Sequence, residues 1–218
     1  MRKFELTNEF IIINSRKRLY RIRALIAFAD VKAGELGGYV EKEENLSHAG
    51  YAWVADDAWV YGNAQVTEDA QVTNNASVFN DAKVSGNAWV YGDALVYGNA
   101  QVYGNAEVSS TAIVSGNANV YDDAWVSGNA HVYDEAQVYG NADVCGSALV
   151  YGKAWVHGNA KISGNAQVCG SAAVYDNARV TGRALVTGNA WVYDNARVCG
   201  KAIVAGNAQV YENAQVCE

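Results

Sequence analysis

The chain has 218 residues, a formal net charge of −7, 21 glycines and no proline. No apolar run approaches the ~20 residues of a membrane-crossing helix, and the opening MRKFELTNEF lacks a signal-peptide core. A cytoplasmic protein without membrane contact is expected. Residues 1–32 carry eight Lys/Arg against three Asp/Glu, a net of +5, which leaves −12 for the remainder. That acidic remainder argues against nucleic acid along its length, because phosphate contacts need a positive surface. The basic head offers a contact for an anionic partner, although charges around a turn are commonly just solvated.

In chain order, FELTNEFIII at 4–13 and LYRIRALIAF at 19–28 are apolar, β-branched runs separated by Asn14, Ser15 and Arg16. Two such runs and a turn predict a β-hairpin. DVKAGELGG at 30–38 reads as glycine-rich loop, and 39–47 leads into the region that follows. Residues 1–48 are expected to form a β cap over the open end of a repeat domain at 49–218, as terminal caps do in repeat proteins.

The repeat is strict. From Val54 to Val216 an aliphatic residue recurs every six residues, 28 positions in all, with Ile162 alone replacing valine. An alanine stands two residues before each, from Ala52 to Ala214. Alanine and valine therefore share one face of an extended strand. The Gly-Asn, Asp-Asn and Gly-Asp pairs between them tolerate the left-handed backbone that a corner needs. Three strands and three corners, about 18 residues, close a triangular winding with Val and Ala inside, and windings stack at roughly 4.8 Å. The expected fold class is all-β, a parallel β-helix of about nine windings. Amphipathic helices need a 3.6-residue period, and calcium-binding β-rolls repeat in nines, so neither fits.

This pattern of aliphatic residue, two turn residues and small residue resembles the hexapeptide-repeat family, and the resemblance implies a left-handed helix. Handedness comes from the resemblance alone, being an exception to the right-handed crossover rule. Asp30-Val31-Lys32-Ala33-Gly34, Gly37-Gly38-Tyr39-Val40, Leu46-Ser47, Gly50 and Trp53 are similar to the N-terminal region of the YdcK-like proteins of bacteria and phages. Those proteins are called hexapeptide-repeat transferases by similarity. The resemblance implies the fold and an alternative function, acetyl-CoA-dependent acyl transfer at a site between subunits with a histidine base. His48, His131 and His157 lie in separate parts of the chain with no motif around them. No catalytic residue is assigned; under the alternative, His131 is the base. No metal is expected, and no cofactor beyond acetyl-CoA under that alternative.

Sorting outward positions by 18 gives three faces. On the first, Trp59, Leu95, Ile113, Leu149, Leu185 and Ile203 form an apolar stripe, expected to be an interface in a homo-oligomer, a trimer or an end-to-end dimer. The final YENAQVCE has no capping segment after it, which also suggests self-association. The second face carries Trp155, Ala173 and Trp191 beside Tyr103, Tyr121, Tyr139, His157, Tyr175, Tyr193 and Tyr211. Stacked tyrosines stabilise neighbouring strands, and they also suit stacking on sugars or bases. On the third, Lys161, Arg179 and Arg197, with Arg183 and Lys201 in the corners after it, are candidates for binding an anionic ligand or a partner's carboxylates. Cys145, Cys169, Cys199 and Cys217 each follow a core valine and are expected to point outward as reduced thiols, although Cys199 and Cys217 are close enough to pair. Uniform repeats without an interrupting loop favour a non-catalytic rod that presents aromatic, apolar and cationic columns to itself or to a protein partner.

Overall fold

The computed structural model of the chain describes residues 2–14 and 16–218; Ser15 of the expected turn, like Met1, lies outside them. Strand β1 (Phe4–Ile13) pairs antiparallel with β2 (Lys17–Ala24), and β2 with β3 (Leu36–Val40). β2 stops at Ala24, short of the expected Phe28. Leu25 N–H donates to the Lys3 carbonyl, and the Phe28 ring turns inward to meet the Trp53 indole edge-on at 5.4 Å. Phe28 thus closes the core instead of extending the strand.

Twenty-eight short strands follow, one per hexad, from Trp53–Val54 to Gln215–Cys217. They form three parallel sheets in which each residue faces the one 18 further on, as in Leu95↔Ile113, Gln101↔Asn119 and Glu107↔Trp125. The valines and alanines line the interior, and from Ala52 to Val198 they are essentially inaccessible to solvent. Full burial of each valine side chain contributes roughly 1.5 kcal/mol or more. The all-β parallel solenoid read from the hexads is the fold observed.

The solenoid starts earlier than the hexads do. Val40 pairs with Val60 and Leu46 bridges to Val66, so two interior positions precede Val54 at a spacing of 20 residues instead of 18. They complete a tenth winding, giving a shaft about 48 Å long at the usual strand spacing. The parallel sheet therefore begins inside 1–48, and the hairpin extends the sheet of the first face. Carbonyls of that end are met by side chains as well as by β3. Lys3, 2% exposed, donates through Nζ to Gly50 O (3.2 Å) and Ala52 O (2.8 Å). Asn45, fully buried, donates through Nδ2 to Gly62 O (3.2 Å) and Ala64 O (2.8 Å).

Corner chemistry explains the Gly/Asp alternation. Gly146 has φ +71°, and a Cβ there would lie 2.9 Å from the nitrogen and oxygen of Gly164 in the next winding. Asp134 holds the same left-handed conformation (φ 60°) but gives something back, because its carboxylate accepts the N–H of Gly152 at 3.1 Å. At the following position asparagines bond in ladders, as in Asn87→Asn105→Asp123.

Candidate functional site

Residues on either side of each core valine project from the same outer face, so each face carries two columns rising one rung per winding. On the second face the column after valine is a seven-ring stack. Tyr103, Tyr121, Tyr139, His157, Tyr175, Tyr193 and Tyr211 follow one another with centroids 4.7–5.4 Å apart and planes within 13°. Burial raises the pKa values of Tyr103, Tyr121 (to about 12), Tyr139, Tyr175 and Tyr193, and lowers that of His157 against the opposing pull of Asp176. Those six rings are thus held neutral at physiological pH.

Beside it runs the column Gln137, Trp155, Ala173, Trp191, each facing the next across the ladder. Ala173 offers only a methyl, whereas the indoles on either side stand 49% and 46% exposed. The result is an open hollow of about 580 Å³ with Ala173 at its floor. Trp155 and Trp191 rise on either side, His157 and Tyr175 line one flank, and Glu135, Lys153 and Ser171 the other. Glu135 and Lys153 pair at 3.8 Å, so the rim is close to charge-balanced. A second open hollow follows the next corner, where Asp176, Asp194 and Glu212 stack one above another.

The third face repeats this arrangement with the gap filled. Trp89, Glu107 and Trp125 are successive rungs, and Glu107 occupies the space between the indoles while accepting the Tyr91 hydroxyl at 3.1 Å. Trp89 and Trp125 donate their ring N–H to Thr73 and Ser109, both at 3.1 Å. Trp155 and Trp191 have tyrosines, Tyr139 and Tyr175, at the equivalent positions and make no such bond among the described residues.

The other candidates sit as follows. On the first face Trp59, Leu95, Ile113, Leu149 and Leu185 are half-buried, and Ile203 is 66% exposed. The column beside them stacks Tyr61–Phe79–Tyr97 and Tyr133–Tyr151. His131 stands between Ile113 and Leu149. His48 stacks on Phe4 in the cap, accepts Lys3 N–H through Nδ1 and faces Glu43 through Nε2 at 2.6 Å. With His157 in the ring stack, the three histidines share no site. Lys161, Arg179 and Arg197 are successive exposed rungs, but Lys161 is held by Asp143 at 2.5 Å. Asp143 precedes Lys161 in the same column, so this pairing was open to view in the 18-residue sorting. Arg183 and Lys201 are exposed in the corners. In the head, Arg2, Lys17, Arg21 and Arg23 pair with Glu43, Glu41, Asp57 and Glu5.

Two expectations about cysteine are corrected. Cys199 and Cys217, on adjacent rungs with Cα atoms 4.6 Å apart, form a disulfide instead of standing reduced. Cys169 is buried, with its Sγ 3.2 Å from the Thr187 hydroxyl, because side chains stacked at rung spacing cover one another. Burial and Asp143 raise the pKa of the Cys145 thiol. No group of three or more His, Cys, Asp or Glu suited to a metal occurs among the described residues. No helix there is long and apolar enough to cross a membrane.

Residues 88–104 and 136–158 match the family described as YdcK Beta solenoid repeat. These two segments are similar to YdcK β-solenoid repeats, in keeping with the parallel solenoid that runs along the whole shaft. No curated protein matches it. The second matched segment contains Trp155, so one wall of the second-face hollow stands within a recognised YdcK repeat.

Proposed function

We propose that this YdcK-like solenoid is a rigid, non-catalytic interaction rod, self-associating through its first face and presenting aromatic and cationic columns to a partner. The observation that carries this reading is the unbroken 18-residue register: 28 hexads follow one another without an inserted loop, so outward side chains fall into straight columns. Acyl transfer needs a base within reach of its acceptor in a cleft that excludes water. The three histidines lie apart, and loops that would wall such a cleft are missing from 53–218. The apolar first-face column supplies a continuous surface for a second copy. A cytoplasmic setting is part of the proposal.

Sedimentation equilibrium at micromolar concentration should give an oligomer, and Leu149→Lys with Leu185→Lys should give a folded monomer. Small-angle scattering separates the two assemblies, since end-to-end dimers double the shaft length and a side-by-side trimer keeps it. A wild-type monomer overturns the self-associating reading. Saturable binding of acetyl-CoA transfers support to the acyltransferase alternative, with His131 at a subunit boundary as its base.

A further inference from the structure

We infer that the hollow over Ala173 binds one uncharged sugar ring between the indoles of Trp155 and Trp191. The inference deepens the rod reading and rests on its premise that the outer columns are the working surface. Three observations carry it.

The first is thickness. Equivalent atoms of Trp155 and Trp191 are two rungs apart, about 9.6 Å at the normal strand spacing. A flat ring in van der Waals contact on both sides fills only about 7 Å of this. A puckered sugar ring with hydrogens on both faces is thicker, and its C–H groups make the apolar contact that an indole face offers.

The second is the rim. Ser171, His157, Tyr175 and Gln137 supply neutral donors and acceptors around an apolar slot, the combination that orients a polyol. The ring N–H groups of Trp155 and Trp191 add two donors that their counterparts on the third face spend on Thr73 and Ser109.

The third is charge. The Glu135–Lys153 pair balances itself, and the neighbouring carboxylate column of Asp176, Asp194 and Glu212 repels uronates and phosphates. An uncharged sugar is therefore favoured over an anionic one.

The filled gap on the third face provides the control. Ala173→Glu recreates the Trp89–Glu107–Trp125 arrangement that this fold already accommodates, and Trp191→Ala removes one wall. Calorimetric titrations of the full chain should use neutral trisaccharides (a β-glucan, an α-glucan and a chitin fragment), with a glucuronate oligomer, adenosine and arginine amide as comparators. At least one neutral trisaccharide should bind with a Kd of about 1 mM or tighter, and each substitution should weaken it about 10-fold or more. Circular dichroism should be unchanged in Ala173→Glu. The inference falls if no neutral saccharide saturates by about 10 mM, if Ala173→Glu binds as well as wild type, or if a comparator binds more tightly than every neutral sugar. Sedimentation of Ala173→Glu should match wild type, so loss of sugar binding and loss of self-association are read separately.

Discussion

Lys3 Nζ lies 2.8 Å from the carbonyl oxygen of Ala52, at the end of the solenoid where a backbone N–H of a preceding winding would otherwise donate. Burial lowers the lysine pKa from 10.5 to about 8, with Asp69 opposing the shift. Between those values the folded state binds fewer protons than the unfolded chain, so stability rises with pH across that window. The contribution is fully present above 10.5 and lost as pH falls through 8. Urea midpoints of wild type relative to Lys3→Met should therefore move in favour of wild type from pH 8 to 10.5. A flat difference would mean that Lys3 titrates normally.

His157 is gripped between Tyr139 at 4.7 Å and Tyr175 at 5.0 Å. Replacing it by alanine breaks two stacking contacts and should cost about 1–3 kcal/mol in chemical denaturation. Its folded pKa lies below 6.5, chiefly through burial. The stability it confers is present above pH 6.5 and lost as pH falls through the lowered value. His157→Phe should keep the stack and abolish that acid sensitivity, which wild-type and variant pH profiles will reveal.

Gly146 separates steric from conformational cost. Gly146→Ala must adopt φ +71° and press on Gly164, so a loss of about 2 kcal/mol is expected. Gly146→Asp pays the same backbone cost but can accept the Gly164 N–H, as Asp134 accepts that of Gly152, and should be the milder change. Gly206→Ala, with nothing within 4 Å of its new Cβ, should lose only about 1 kcal/mol. Thermal melts of the three variants rank them directly.

Cys199 and Cys217 close a loop of 18 residues, for which chain entropy predicts about 3 kcal/mol of local stabilisation. Reduction should expose the amides of the last winding to hydrogen exchange while the rest of the shaft melts as before. In a reducing cytoplasm the last winding would spend part of its time open. Equal protection with and without reductant would show that the stacking of Tyr193 on Tyr211 suffices.

The interior of the shaft was legible because one rule, small residue then aliphatic residue every six, is repeated without interruption from Ala52 to Val216. The first winding was hidden because the 47–52 stretch carries two residues too many, which offsets Val40 and Leu46 from the count. Column membership was likewise readable, so Trp155, Ala173 and Trp191 were placed side by side. What the letters do not express is empty volume. A methyl between two indoles is a gap, and it becomes visible only when the rungs are given their spacing. Cys169 misled for a related reason: pointing outward on a single strand is not exposure once rungs above and below close over the side chain.

Each corner from Gly62 to Asp194 lies against the corner eighteen residues later, as Gly128 does against Gly146 and Gly146 against Gly164. Gene rearrangements in multiples of eighteen codons therefore rejoin like with like, and the interior cannot register the change. Storeys are interchangeable, but tenancy is not. Excising the storey that holds Ala173 would seat Trp191 directly on Trp155, erasing the vacancy while leaving a sound, shorter tower.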